Sequence, residues 1–300
     1  MTTQSIYYSI ADLQLNITFP SECNLPELLP NFEPFRVSFQ SDKPISCSVT
    51  VTEEEFPFER DKAKLLSDIS IVWGDNFTFY ETEEAYYILI KTENDPSIQW
   101  KMRSSKDFRK NVIYCGPIDK PKNQLISWFC MVAFAQSALL HQCVMIHASV
   151  VMNDEGGYAF LGKSGTGKST HSKLWLTHNE GFELLNDDNP ALRIVDEEVR
   201  VYGTPWSGKT PCYRAESRPL KALVRLRQAP HNIFYVKEDK DALLALLPSC
   251  SAIRWNLNLY STLINILVVI IDKVKIGELH CLPDKEAAQI CFSHVQNYNK

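Results

Sequence analysis

The stretch that decides the fold is residues 158–177, which read YAFLGKSGTGKSTHSKLWLT. An apolar run (158–161) precedes the eight residues GKSGTGKS (162–169), and a helix-compatible stretch (170–177) follows them. Glycines at this spacing let successive backbone N–H groups turn toward one anion, and the next helix presents its positive end to the same anion. The pattern therefore predicts a strand, a phosphate-binding loop and a helix, in that order.

This loop predicts a nucleoside triphosphate, ATP, and magnesium as ligands. Lys168 can reach the β- and γ-phosphates, and the hydroxyl of Ser169 can complete an octahedral magnesium shell. The alternative is a Gly/Ser-rich turn that binds nothing, but eight of the eleven glycines fall between positions 156 and 208, around this one loop. We expect nine consecutive residues to line the nucleotide site: Gly162, Lys163, Ser164, Gly165, Thr166, Gly167, Lys168, Ser169 and Thr170.

Two adjacent carboxylates follow the next apolar segment. Asp187 and Asp188 come after the predicted strand 182–185 and its neighbour Asn186. One carboxylate at such a strand end can hold magnesium, and the other can accept a proton from an attacking hydroxyl. We therefore predict Ser169, Asp187 and Asp188 as metal ligands and both aspartates as catalytic candidates, with the two aspartate roles left open. The alternative is a polar turn leading away from a strand.

A histidine interrupts the apolar strand predicted at 144–152, which precedes the loop strand. His147 is either a hydrogen-bonded core residue or a partner of Asp187 or Asp188, in which case it would tune the carboxylate that acts as base. It is therefore a third catalytic candidate, beside Lys168.

A second Gly-Lys loop, GTPWSGKT, occupies residues 203–210 but lacks the spacing of a phosphate-binding loop. We predict Lys209 as a second cation near the γ-phosphate or the acceptor, and Trp206 as a pocket wall. The alternative is an ordinary surface turn. Arg214 and Arg218 are weaker candidates for binding phosphate or substrate charge.

The periodicity divides the chain into a β-rich first domain (1–118) and an α/β second domain (119–300), with the boundary in the Pro- and Gly-containing segment 116–123. The first domain carries short β-branched and aromatic runs separated by turns, which favour an antiparallel or mixed sheet: 6–19, 35–39, 45–51, 69–73, 77–80, 86–91 and 98–102. The second alternates strands with helices: helices 124–141, 240–247, 257–272 and 284–295, and strands 144–152, 182–185, 191–195, 199–202, 220–226 and 274–282.

Composition and charge indicate which kinds of partner and which cellular compartment to expect. A net charge of −5 without a long Lys/Arg run argues against nucleic acid. Nine scattered cysteines without a C-x-x-C pair, and no basic-then-apolar N-terminus, favour buried thiols in a reducing cytoplasm. The apolar segments 125–140 and 263–271 are shorter than the roughly twenty residues of a spanning helix, so we expect no membrane insertion.

The strand with His147, the GKSGTGKS loop and the closely following Asp187 and Asp188 resemble the catalytic domain of HPr kinase/phosphorylase and the related ATP-dependent phosphoenolpyruvate carboxykinases, over residues 120–295. The resemblance implies an α/β fold (α+β overall), with a P-loop C-terminal domain after a smaller β-rich domain. It also implies that one aspartate is the base and that His147 lies against the pair. The glycine-rich signature for the HPr substrate is replaced by residues 202–213, so we expect another acceptor.

We therefore expect an ATP- and magnesium-dependent kinase that phosphorylates a hydroxyl of a protein, peptide or small metabolite. A nucleotide-dependent sensor with slow hydrolysis and a partner-binding first domain is the alternative. Because the predicted catalytic groups all follow residue 140, the first domain is expected to recognise the acceptor or to contribute contacts in a homo-oligomer.

Overall fold

The computed structural model describes residues 2–68, 77–92, 95–114, 123–208 and 210–296. It is a mixed α/β structure with two large sheets and several helices. The chain forms two compact units, Met1–Leu140 with Ile253–Leu259, and His141–Ala252 with Tyr260–Lys300. Residues 115–122, which hold most of the predicted boundary, lie outside the described ranges. The predicted domain limit near residue 118 therefore stays a prediction.

The first unit contains a nine-stranded mixed sheet in the order β3-β1-β2-β4-β9-β8-β7-β6-β5. The pairs β2–β4 and β4–β9 are parallel, and the other pairs are antiparallel. Helix α2 (Asn123–Ser137) packs against β4 and β9. The other elements are β1 Thr3–Ile10, β2 Leu13–Pro20, α1 Leu25–Leu28, β3 Arg36–Val37, β4 Ile45–Thr52, β5 Lys64–Ser67, β6 Phe77–Glu81, β7 Ala85–Thr92, β8 Asp95–Ser105 and β9 Lys110–Tyr114.

Several strand predictions in this unit need correction. The run 6–19 is a hairpin, because Ala11 and Asp12 adopt left-handed φ angles of 53° and 56° and form its two-residue turn. The predicted strand 35–39 is reduced to β3, which follows a 3-10 helix at Pro30–Phe35. Strands β5 and β9 were not predicted, and the whole of the predicted strand 69–73 lies outside the described residues.

The second unit is built around the long strand β16 (Ser217–Gln228). Its first residues pair with β15, and its later residues lie between β12 and β18, both parallel to it. The other strands are β10 Cys143–Met145, β11 Ala148–Met152, β12 Gly157–Leu161, β13 Glu183–Asp188, β14 Ala191–Val195, β15 Glu198–Tyr202, β17 Ile233–Val236 and β18 Lys275–Cys281. The helices are α3 Lys168–His178, α4 Asp239–Leu246, α6 Lys285–Gln296 and, from Tyr260 onward, α5 Leu257–Lys273.

An aromatic core fixes α3 against the sheet. The indole of Trp175 is fully buried and contacts the rings of Tyr158, Phe160, Phe182 and Phe292 at centroid distances of 5.1–5.6 Å. Burial of so large a side chain strongly favours one position for the helix on the sheet. The N-terminus of α3 is thereby held beside the carboxyl end of β12, and the glycine-rich loop (residues 162–167) joins the two.

The strand predicted at 144–152 is broken at His147 into β10 and β11. Strand β10 pairs with β14, whereas β11 pairs with β12 and β13. Between them, Ile146 forms an isolated bridge with Cys250, and the backbone N–H of His147 donates to the carbonyl of Ser249 at 2.7 Å. His147 therefore lies in the connection between β10 and β11, where the backbone pairs with Ser249, and not within a continuous strand. Strand β17 was also not predicted from the sequence.

The segment Gln124–His141 is, among the described residues, the one helical segment long and apolar enough to cross a membrane, with a hydropathy of 1.3. It comprises α2 and the following 3-10 turn Ala138–His141. In the structure 67% of it is buried inside the protein, as in a core helix of a folded unit. The absence of membrane insertion stays a prediction.

Candidate active site

The glycine-rich loop has a backbone that only glycine adopts readily. Gly165 and Gly167 have φ angles of 80° and 103°, and Gly167 is the residue that caps α3. The N–H of Thr166 donates to the carbonyl of Lys163 at 3.1 Å, which closes the loop into a tight turn. The first residue of the helix is Lys168, so its side chain starts where the backbone N–H groups of the helix are unpaired. This geometry suits an anion.

The side chain of Lys168 is held by three partners. Its Nζ lies 2.8 Å from Nε2 of His147, 3.0 Å from the carbonyl oxygen of Gly162 and 3.4 Å from that of Lys163. Burial lowers the pKa of Lys168, while the carboxylates of Asp188 and Asp187 act in the opposite direction. The side chain is therefore held in one position by its contacts and is largely buried.

His147 connects this lysine to the acidic pair. Its Nδ1 lies 2.9 Å from Oδ1 of Asp188. A lysine ammonium has only donors, so Nε2 of the imidazole accepts and the ring proton lies on Nδ1, which donates to Asp188. The prediction that His147 faces one of the aspartates agrees with this contact, and Asp188 is the one it faces.

The two aspartates are the last residues of β13, which runs further than the predicted strand 182–185, so the alternative of a polar turn at the pair does not hold. Successive residues of a strand point to opposite faces, so the carboxylates of Asp187 and Asp188 reach different partners. Asp187 is 5% exposed, and its Oδ1 accepts from Oγ of Ser169 at 2.9 Å. Asp188 faces His147, and its Oδ2 accepts from Nδ2 of Asn189 at 2.8 Å.

The pair is braced by residues that the sequence did not identify as functional. Asn186 is fully buried, and its Nδ2 lies 3.3 Å from the carbonyl oxygens of Thr204 and Trp206. The N–H of Gly208 donates to the carbonyl of Asp187 at 2.6 Å, and a Cβ at position 208 would lie 2.9 Å from that oxygen. The Gly-Lys loop therefore packs beside the acidic pair, a pairing across distant parts of the chain that no local pattern signals.

The other residues that the sequence predicted for the site have no described contact with Lys168. Lys209 lies outside the described residues. Trp206 is buried. Arg214 forms ion pairs with Glu183 and Glu216, and Arg218 donates to the carbonyl of Asn153 at 3.2 Å. The structure brings neither arginine to Lys168 through these contacts.

The oxygen atoms beside Lys168 are of the kind that binds magnesium. The hydroxyl of Ser169 and a carboxylate oxygen of Asp187 are hard oxygen ligands only 2.9 Å apart, next to the loop that would hold phosphates. Magnesium takes one or two such protein ligands and completes its shell with water and phosphate oxygens. Within the described ranges, no group of three or more His, Cys, Asp or Glu side chains is placed to hold a metal ion.

His171 supports the helix behind the loop and yields a prediction about stability. Its Nε2 accepts from Nε1 of Trp175 at 3.1 Å, and burial lowers its pKa to about 4. The unfolded chain binds this proton near pH 6.5, so the contribution to stability is complete above pH 6.5 and is lost as the pH falls toward 4. Over that range we expect His171 to account for about 3 kcal/mol of the free energy of unfolding.

The comparison variant for this prediction is His171→Gln, which keeps an acceptor for Trp175 but does not titrate. Urea unfolding at pH 7, 5 and 4 should show a much smaller acid loss in His171→Gln than in the wild type. The variant His178→Gln changes an exposed histidine of the same helix and should follow the wild type. Parallel pH curves for wild type and His171→Gln would contradict the prediction.

Comparison with known proteins gives a distant structural likeness. The solved structure of the HPr(Ser) kinase/phosphatase from Coxiella burnetii is similar to this chain with a TM-score of 0.31 and 11% sequence identity, over 51% of this chain and 88% of that one. No family model and no curated protein matches the chain.

Proposed function

We propose that this protein is an ATP- and magnesium-dependent kinase that transfers the γ-phosphoryl group to a hydroxyl. The observation that carries the proposal is the chain of contacts at one end of the glycine-rich loop. Lys168 contacts His147 at 2.8 Å, and His147 contacts Asp188 at 2.9 Å. A cation for the phosphates and a carboxylate that can take a proton are thus linked through one imidazole. Phosphoryl transfer depends mainly on such positioning and charge.

In this proposal residues 162–170 form a P-loop, and the second unit is an HPr-kinase-like catalytic domain preceded by a β-rich accessory domain. The loop N–H groups and Lys168 bind the β- and γ-phosphates. Ser169 and Asp187 would hold magnesium, which supplies positive charge against the phosphate oxygens when bound. Lys168 exchanges its contact with His147 for the phosphates as nucleotide enters.

Asp188 is the proposed base. Its carboxylate is one-third exposed, so a substrate hydroxyl can approach it, whereas Asp187 is buried against Ser169. The hydroxyl oxygen of the substrate attacks the γ-phosphorus while its proton passes to Asp188, and ADP leaves. His147 and Asn189 hold the two carboxylate oxygens in place through hydrogen bonds.

The acceptor is proposed to be a protein, peptide or small metabolite in the cytoplasm, recognised with help from the first domain or from a second copy of the chain. Lys209 is proposed as a cation near that acceptor. Its neighbour Gly208 contacts the backbone of Asp187, which supports this assignment.

The test is ATP turnover of the purified chain with magnesium, in the presence and absence of hydroxyl-bearing acceptors. We expect ADP release to rise with a suitable acceptor and the γ-phosphoryl label to appear in that acceptor. If ATP binds and is hydrolysed slowly whatever acceptor is added, the protein is a nucleotide-dependent sensor and not a kinase. If ATP does not bind, both functions are excluded.

A further inference from the structure

A cavity of about 360 Å³ opens beside the glycine-rich loop, on the side of the sheet that carries α3. Its walls come from Leu174 of α3, from Leu226 and Gln228 at the end of β16, and from Ala229 and Leu282 just beyond β16 and β18. It therefore lies at the carboxyl ends of two parallel strands, where open α/β sheets bind ligands. Its volume is within the roughly 300–1,000 Å³ typical of small-molecule sites.

The loop separates this cavity from the reactive groups. Lys168 and Ser169 turn their side chains toward His147 and Asp187, as their hydrogen bonds show. Gly165, Thr166, Gly167 and Thr170 border the cavity instead. A triphosphate bound along the loop therefore has one end at the lysine and the carboxylates. Its other end must leave the loop past Thr170, where the cavity begins.

We propose that this cavity binds the nucleoside end of the triphosphate, the base and ribose, and that it determines the preference for a nucleotide over inorganic polyphosphate. The inference rests on the proposed function. Leucine side chains in the cavity lining offer the apolar contact that a base requires. The three leucines belong to different elements, since Leu174 lies on α3, Leu226 on β16 and Leu282 after β18.

The cavity wall is also joined to the phosphate loop. The side-chain amide of Gln228 donates to the carbonyl of Gly165 at 3.3 Å. Gly165 has no atom within 4 Å of the position that a Cβ would occupy, so there is open space beside the loop at this residue. A nucleoside in the cavity would therefore lie against Gln228 while its phosphates follow the loop, and one ligand would occupy both features.

The test compares two ligands and three variants. Calorimetric dissociation constants are measured for ATP and for inorganic tripolyphosphate, each with magnesium. Ala229→Phe fills the cavity, and Leu282→Ala removes contact area from a side chain that is 40% exposed, so that the fold is spared. Leu244→Ala removes the same group from a 56%-exposed position on α4, outside the cavity, and is the control. Thermal unfolding verifies that each variant is folded.

We expect Ala229→Phe to weaken ATP binding by roughly tenfold or more, since the added ring occupies the space of the base, and Leu282→Ala by about threefold, since it removes apolar contact with the base. Tripolyphosphate binding should change by less than about twofold in both, as should both ligands with Leu244→Ala. Variants that bind ATP as the wild type does, or that lose both ligands equally, would overturn the cavity assignment while the proposed function stands. A wild type that binds neither ligand would overturn both.

Discussion

The Lys168→Ala variant is expected to lose ATP turnover by a factor on the order of 100 to 1,000 while remaining folded. Its ammonium lies at the glycine-rich loop, in contact with His147 and with the carbonyl of Gly162, and its burial strengthens its interaction with an anion bound there. Loss of that cation leaves the charge that develops on the phosphoryl oxygens without its main protein partner. The measurement is kcat and KM for ATP at saturating magnesium, together with the melting temperature.

The matched control is Lys173→Ala, which removes an exposed lysine from the same helix. It should leave turnover within about twofold of the wild type, because exposed charges away from a site have small effects. Lys168→Arg retains the charge but not the compact ammonium, and should recover only a small part of the activity. Turnover of Lys168→Ala equal to that of the wild type would exclude the phosphate role of this lysine.

The sequence correctly predicted the features of the site that depend on residues close together in the chain. The spacing of Gly162, Gly165 and Gly167 before Lys168 reports a backbone requirement within a few residues, and the structure gives the last two glycines left-handed conformations. The order of strand, loop and helix follows from the same short stretch. Such local patterns predict the structure well because the residues that determine them are neighbours in the sequence.

The parts that the sequence missed have distant causes. The break at His147 arises because its backbone pairs with Ser249, far later in the chain. The brace under the acidic pair needs Asn186 to meet Thr204 and Gly208 to meet Asp187. Long-range pairing of this kind leaves no periodicity at either segment, so the apolar run around His147 looked like one strand.

The hairpin of the first unit shows a third kind of failure. Ala11 and Asp12 form its turn with positive φ angles, although neither is the glycine or asparagine that usually marks such a turn. Eight paired positions of β1 and β2 hold the two residues in place. Tertiary pairing therefore overrides a weak local preference here, and the sequence alone favoured an unbroken run.

The Asp187→Asn and Asp188→Asn variants are expected to fail in different ways, because their carboxylates have different neighbours. Asp188→Asn keeps the shape but loses the proton acceptor beside His147, so kcat should fall by roughly 100-fold to 10,000-fold even at saturating magnesium. Asp187→Asn loses a charged oxygen beside Ser169, so the magnesium concentration for half-maximal activity should rise. The measurement is a magnesium titration of turnover for each variant.

The Asn189→Ala variant distinguishes the loss of the carboxylate of Asp188 from the loss of a hydrogen bond that positions it. It removes the donor to Oδ2 of Asp188 but keeps the carboxylate and its contact with His147, so a smaller fall in kcat is expected than for Asp188→Asn. Its magnesium requirement should match that of the wild type, since Asp187 and Ser169 are unchanged. If Asp188→Asn raised the magnesium requirement and Asp187→Asn lowered kcat at saturating magnesium, the two roles would have to be exchanged. If both aspartate variants turned over ATP as the wild type does, the pair would be a structural strand end, and the kinase assignment would lose its base.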